Sequence, residues 1–303
     1  MMKVLITDQI HPEGVSYIRK QGFEVDEKVD LSKEDIKKVI GDYEGLIVRS
    51  RTKVTKDVIE AGKKLLVIGR AGVGLDNIDT ETARERNIKV LNTPGVSTTS
   101  VAELVIGFMI SAARHIPQAT ASIRSGNWEK EKFSGIELAG KTLGIVGLGR
   151  IGNAVASRAK AFDMETIGYD PYITKSDNIQ VVDFDTLIRK SDFITFHVPL
   201  NDTTKHMISI NQVRKMKKGV IVINAARGGI LDEKALKQGL DEGIIGAVAL
   251  DTFETEKQFM TVLGGEENLI ATPHIGAQTE EAQKRAGIEI GEVVVEYLKE
   301  IRR

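Results

Sequence analysis

Short apolar, β-branched runs alternate along this chain with longer amphipathic stretches, and that alternation limits what it can fold into. The runs are KVLITD, GLIVRS, LLVIGRAG, KVLNTP, TLGIVG, ETIGYD, FITFHVP, VIVINAA, GAVALD and NLIATP. Helical patterns lie between most of them, among them Lys33–Ile40, Thr80–Glu85, Asn153–Ala161 and Glu233–Glu242. Such a pattern specifies parallel sheets with helices on both faces. So many strands exceed one ordinary sheet, and 303 residues suffice for two cores. Two doubly wound α/β domains are predicted.

The break falls near NTPGVSTTSVAE, where Pro94 and Gly95 end a strand and a Ser/Thr cluster supplies helix N-caps. The helix that follows, SVAELVIGFMISAARHI, is apolar on more than one face and reads as a connector between domains. The last helix, Thr279 to Arg302, carries Ala282, Ala286, Ile290, Val293, Val294, Tyr297 and Ile301 at helical spacing. It needs an apolar surface to cover, and the first domain is the expected one.

Charge narrows the function classes. There are 42 basic and 43 acidic residues, for a net charge of -1. This argues against a nucleic-acid or membrane partner held by bulk electrostatics. With no cysteine, disulfides, thiolate catalysis and Cys-ligated metals are excluded, and no metal is expected. The start MMKVLITDQI reads as a strand rather than a signal peptide, so a cytoplasmic setting is expected.

The clearest chemical motif is KTLGIVGLGRIGNAVASRAKAF, with Gly147, Gly149 and Gly152 in G-x-G-x-x-G order between a strand and a helix. Gly147 permits the tight turn, Gly149 lets a pyrophosphate approach the backbone, and Gly152 lets helix pack on strand. The helix N-terminus offers amides and a positive dipole end to phosphate. Asp170 ends the next strand, 21 residues after Gly149. Its carboxylate suits the adenosine ribose hydroxyls and would repel a 2′-phosphate, so NAD is predicted over NADP. A second glycine cluster, GRAGVGLDNID, has Asn77 in the third glycine place and no acid at the end of the following strand. It reads as a small-anion turn, not a second dinucleotide site.

Three further features sit at strand ends, the rim where ligands bind in such sheets. NAARGGILDE sets Arg227 among small residues, VALDTFETE supplies Asp251, Glu254 and Glu256, and ATPHIGAQT supplies His274. The set suits hydride transfer between a 2-hydroxy and a 2-keto acid. A guanidinium grips a carboxylate or carbonyl, and an imidazole exchanges the hydroxyl proton. A nearby carboxylate stabilises an imidazolium and fixes its ring. Spacing alone leaves the choice of carboxylate open.

Together GLGRIG, NAARGGILDE, ALDTFETE and TPHIGA resemble the D-isomer-specific 2-hydroxyacid dehydrogenase family, over nearly the whole chain. The stretches GLIVRSRTKVT, GRAGVGLDNID, NTPG and IPQATASIRSGNWEKEKFSG are similar to its branch acting on 3-phosphoglycerate. The resemblance implies an arginine–glutamate–histidine triad. The family's glutamate lies 29 residues after its arginine, which selects Arg227, Glu256 and His274. Relatives usually carry proline after that glutamate. Here Lys257 follows, so the local turn must differ. The resemblance also implies a Rossmann NAD-binding domain (96–274) inserted in a discontinuous, flavodoxin-like substrate domain (1–95 and 275–303). It puts Arg150 and Ile151 at the pyrophosphate and Val198, Ala225 and Asp251 near the cofactor. Arg49 and Arg70 fall on the substrate side, with the backbone at Val73 and Gly74 meeting its carboxylate. A homodimer through the cofactor domain is implied, and Lys130 lies in the arm WEKEKF, whose part in a neighbouring active site the sequence leaves open.

A phosphorylated substrate needs extra cations, and Arg49, Arg51, Lys53 and Arg70 follow or end strands. With these cations pointing inward, the reaction the resemblance implies is NAD-dependent oxidation of D-3-phosphoglycerate to 3-phosphohydroxypyruvate, the opening step of serine biosynthesis. A glyoxylate/hydroxypyruvate reductase is the alternative, and an NAD-sensing corepressor a remote one. The sequence stops at Arg303 after the last helix, and serine is not expected to inhibit through a C-terminal regulatory domain.

Overall fold

The structure, a computed structural model, describes residues 1–256 and 262–302. The chain divides into two compact units, Met1–Ser97 with Ala277–Arg303, and Thr98–Gly276.

In the first unit the elements run β1 (Lys3–Ile6), α1 (Pro12–Lys20), β2 (Glu24–Glu27), α2 (Lys33–Val39), β3 (Gly45–Val48), α3 (Lys56–Ala61), β4 (Val67–Arg70), α4 (Thr80–Glu85) and β5 (Lys89–Asn92). The chain's last helix, α11 (Glu280–Glu300), belongs to the same unit. All pairings are parallel, in the order β2-β1-β3-β4-β5. That is the flavodoxin-like doubly wound order. Both faces of the central strands are buried, which is why they read as continuous apolar runs. Val4, Ile6, Ile47 and Val67 pack on Ile290, Val294 and Leu298 of α11. Leu5, Leu46, Val48 and Ile68 face the opposite layer, with Ile36, Val58 and Ile59.

Helix α11 starts where the Thr279 side chain accepts from Ala282 N, with Glu280 and Glu281 in the first turn and Lys299 in the last. It lies unusually close to α1. A Cβ added at Gly14 would sit 2.0 Å from the Gly287 carbonyl oxygen, so the two helices meet backbone to backbone.

The second unit contains α5 (Thr98–Ala113), α6 (Ile116–Arg124), β6 (Thr142–Val146), α7 (Arg150–Lys160), β7 (Glu165–Tyr169), β8 (Gln180–Val181), α8 (Phe184–Lys190), β9 (Phe193–Phe196), α9 (Ile210–Val213), β10 (Val220–Asn224), α10 (Glu233–Asp241), β11 (Ile245–Leu250) and β12 (Leu269–Ala271). Its parallel sheet has the order β12-β11-β10-β9-β6-β7-β8. The order reverses between β6 and β9, the Rossmann-type switch point at which such sheets bind ligands. Helix α5, expected as a connector, is a core helix of this unit. Val105, Met109 and Ala112 pack with Ile145, Val155, Ile223 and Ala249.

The apolar runs are all strands. Two further strands escaped that reading, β2 (EVDE) and β8 (QV). Both lie at sheet edges, where one side of the strand is open and polar residues are tolerated. Among the described residues no single helix is long and apolar enough to cross a membrane.

The α1–α11 contact makes a test. Gly14→Ala forces the helices apart and should cost about 1–3 kcal/mol. Gly95→Ala adds a Cβ with nothing within 4 Å among the described residues and should cost little. Urea unfolding of the two variants measures the difference.

Candidate active site

The turn after β6 is built from glycines that cannot carry side chains. Gly147 has φ 94°, and a Cβ there would meet the His197 carbonyl oxygen at 2.6 Å. A Cβ on Gly152, in the first turn of α7, would meet the Gly147 carbonyl oxygen at 2.1 Å. Gly149 is different. It is the N-cap of α7, its Cβ direction is open among the described residues, and no described side chain caps the helix there. The first amides of α7 are thus left to a ligand, beside space that a Cβ would fill. Arg150 is exposed at the first helical position and Ile151 is half-buried.

Asp170 follows β7. Its Oδ2 accepts from Leu148 N at 3.0 Å and its Oδ1 from Tyr172 N at 2.9 Å. The carboxylate is pinned to the glycine turn, with lone pairs remaining on both oxygens for ribose hydroxyls. Val198 lies against Gly147, and Ala225 is buried directly after β10. These residues fit a dinucleotide: the open position at Gly149 admits pyrophosphate and the pinned acid admits ribose. His197 is set apart from proton transfer. Its Nε2 meets Thr195 Oγ1 at 3.1 Å, and its Nδ1 is sealed from solvent with no partner among the described residues. Burial pulls the ring down to about 3, so it stays neutral.

Arg227 sits in the turn after β10. Asn224, 2% exposed, shapes that turn: its side chain accepts from Ala226 N at 3.0 Å and donates to the Arg227 carbonyl at 2.7 Å. The Arg227 Nη1 donates to the Ala226 carbonyl at 2.8 Å. Gly228 is required here, because a Cβ would meet the Phe253 carbonyl oxygen at 1.8 Å.

His274 follows β12 and has φ 55°, a left-handed conformation costly for any residue but glycine. The buried Asp251 holds it there. Asp251 Oδ1 accepts from Thr272 Oγ1 at 2.6 Å and Ile275 N at 2.7 Å, and Oδ2 accepts from Gly276 N at 2.8 Å. Asp251, assigned by resemblance to the cofactor's surroundings, thus organises the histidine loop.

The His274 Nδ1 lies 2.6 Å from Glu256 Oε1. Glu254 is engaged elsewhere, 3.0 Å from His206 Nε2 and accepting from Glu233 N at 3.3 Å. Geometry therefore pairs the histidine with Glu256. Lys257, which stands in place of the family's proline, lies outside the described residues.

The cationic positions of the first unit are held by a second buried carboxylate. Asp8, 3% exposed, accepts from Arg49 N at 2.7 Å, Thr52 N at 3.1 Å and Thr52 Oγ1 at 2.7 Å. Arg51 pairs with Asp8 at 3.0 Å and with Asp30 at 3.4 Å, so it serves this loop. Among the described residues the Arg49 guanidinium makes only long contacts, 3.4 Å to the Gln9 carbonyl and 3.4 Å to Gln278 Oε1. Burial holds it below the ordinary arginine value, partly offset by Asp8. Arg70 ends β4 over Gly72, where a Cβ would meet its Nη1 at 2.0 Å. The turn carrying Val73 and Gly74 is tied to β5 and the residue after it, through Thr93 Oγ1 to Gly72 N at 2.8 Å and Asn92 Nδ2 to the Val73 carbonyl at 2.6 Å.

Sequence reasoning missed Asn224 and the roles of Glu233 and His206. An asparagine at a strand end before two alanines was a readable turn signal. The other two depend on long-range contacts.

Comparison with known proteins shows the family and the cofactor class. Residues 106–276 match the family profile described as D-isomer specific 2-hydroxyacid dehydrogenase, NAD binding domain. The chain belongs to this family, whose NAD-binding domain it carries. It is 52% identical over 308 residues to the D-3-phosphoglycerate dehydrogenase of Methanocaldococcus jannaschii, spanning 100% of this chain and 58% of that protein. It is 48% identical to the hydroxypyruvate reductase of Thermotoga maritima, over 98% of each chain. Among solved structures it is similar to the D-lactate dehydrogenase of Aquifex aeolicus complexed with NAD and lactic acid. That match has a TM-score of 0.86 and 26% identity, covering 98% of this chain and 95% of the other.

Gly149→Val should weaken NADH binding about tenfold or more, roughly 1.4 kcal/mol, in a fluorescence titration, with thermal unfolding unchanged. Gly152→Ala should lose binding and stability together. In an NMR pH titration His197 should hold one set of shifts between about pH 8 and pH 5. Because its folded value lies below the unfolded 6.5, its contribution to stability is present above that value and is lost as pH falls towards about 3.

Proposed function

We propose that the chain oxidises D-3-phosphoglycerate to 3-phosphohydroxypyruvate with NAD, the opening step of serine biosynthesis. The observation that carries the reaction class is the His274–Glu256 pair at 2.6 Å in the unit with the NAD-binding domain. Bound NAD supplies the acceptor for the hydride leaving C2 of the substrate. The Glu256 carboxyl accepts a hydrogen bond from Nδ1–H of His274, which leaves Nε2 as the base for the substrate hydroxyl. In the reverse direction the same nitrogen returns the proton to the carbonyl oxygen. Arg227 holds the substrate carboxylate or carbonyl oxygen through its planar fork. Asp170, Gly147, Gly149, Arg150, Ile151 and Gly152 hold the dinucleotide, with Val198, Ala225 and Asp251 beside it.

The substrate choice rests on cations. Arg49 and Arg70 are proposed to take the phosphate, and the backbone at Val73 and Gly74 the carboxylate. Support comes from the partly buried, weakly engaged Arg49 and from the name of the Methanocaldococcus relative. A second reading, reduction of hydroxypyruvate or glyoxylate, is favoured by the Thermotoga relative, which the chain matches over 98% of its length. A homodimer is proposed as well. Ile123 and Trp128, 56% and 85% exposed, support a covered face beside Lys130.

The test is NADH formation with 3-phosphoglycerate and NAD beside NADH consumption with hydroxypyruvate and with glyoxylate. Preference for the phosphorylated acid is expected, and activity on the small keto acids alone would overturn the substrate. His274→Ala should lower kcat about 10²–10⁴-fold with NADH affinity kept. Asp170→Ala should chiefly weaken NAD. Near-normal turnover in His274→Ala would remove it as the acid–base residue.

A further inference from the structure

A second histidine–carboxylate pair lies in the same unit as His274 and Glu256. Glu254 Oε1 is 3.0 Å from His206 Nε2 and accepts from Glu233 N at 3.3 Å. The tether is reciprocal, because Glu254 N donates to Glu233 Oε1 at 2.7 Å. Glu233 is the first residue of α10 and is 8% exposed. Its amide is one that the helix itself cannot satisfy, and the positive end of α10 favours the Glu254 carboxylate.

Each strand of this knot ends beside a residue of the proposed triad. Glu254 stands two residues before Glu256. Glu233 follows the loop that starts at Arg227. His206, itself left-handed at φ 49°, donates its backbone N–H to the Gly229 carbonyl at 2.8 Å. Gly228 lies directly against the Phe253 backbone. The arginine loop and the glutamate segment are therefore joined by backbone contact, by two side-chain-to-backbone bonds and by one imidazole.

We propose that Glu254, clasped by His206 and Glu233, is a positioning residue that keeps the Arg227 loop and the Glu256 segment in one fixed arrangement. It touches neither substrate nor cofactor in this role. It acts by denying Glu256 and Arg227 independent motion, and misplacement by about 1 Å is enough to cost roughly 100-fold in rate. Glutamine at 254 keeps the accepting Oε1 and so keeps the clasp, whereas alanine removes it. The role in turnover rests on the dehydrogenase reading above.

The experiment compares the unaltered protein with Glu254→Ala, Glu254→Gln and His206→Ala. It reads kcat and KM with 3-phosphoglycerate and with hydroxypyruvate, the NADH dissociation constant, the thermal midpoint, and amide hydrogen exchange across 226–232 and 252–256. Glu254→Ala should lose about 10- to 100-fold in kcat/KM with NADH affinity and thermal midpoint held, Glu254→Gln should recover most of the loss, and His206→Ala should fall between. Exchange should quicken in both segments of Glu254→Ala and in neither of Glu254→Gln. Unchanged turnover or unchanged exchange in Glu254→Ala overturns the proposal. A joint loss of turnover, NADH binding and thermal midpoint also overturns it, by making Glu254 a general stabiliser. No turnover in the unaltered protein with any of these acids strikes the dehydrogenase reading instead, and the exchange comparison still decides whether the clasp exists.

Discussion

The carboxylate of Asp251 is 1% exposed, and three donors from residues 272–276 converge on its two oxygens. A buried carboxylate without such donors would cost several kcal/mol, so the loop and the acid require each other. The loop in turn carries His274 at φ 55°, a backbone state that a non-glycine residue adopts only where its surroundings impose it. The 2.6 Å contact between His274 and Glu256 depends on that imposition. A single contact between half-exposed side chains gains little by itself, so the pair is placed by its scaffold rather than by its own attraction.

The same device appears in the first unit. Asp8 follows β1 as Asp251 follows β11, and it gathers the backbone at Arg49 and Thr52. Asn224 does the neutral version of this work at the end of β10, where it shapes the turn of Arg227. In each case an apolar run leads up to a polar side chain that turns back onto the neighbouring loop. Parallel sheets suit this arrangement, since all their strands end on one side and their loops lie close enough to share acceptors.

Close approach supplies the rest of the geometry. Gly147, Gly152 and Gly228 each stand where a Cβ would fall within 3 Å of a carbonyl oxygen. Gly149 is exempt: it is the N-cap of α7, and no described atom lies within 4 Å of a Cβ placed there. A motif of like residues therefore divides by role: two positions serve packing, and one leaves room for a ligand. Gly228 carries the same packing logic to the turn of Arg227, where no glycine fingerprint would point to it.

Consecutive residues determine a good deal here. The period of the apolar runs specifies parallel sheets, and the glycine turn with Asp170 specifies a dinucleotide cradle, because strand period, turn chemistry and helix start are all local. Arg227 and His274 were legible as strand-end residues for the same reason. The edge strands β2 and β8 were not, since only their place in the sheet makes polar strands acceptable. Nor did spacing choose among Asp251, Glu254 and Glu256. Tertiary contacts divide them: Asp251 is drawn into the loop of residues 272–276, Glu254 to His206 and Glu233, and Glu256 to His274. Three acids within six residues share one local environment in the sequence, and only partners brought from other strands and helices give each a separate task.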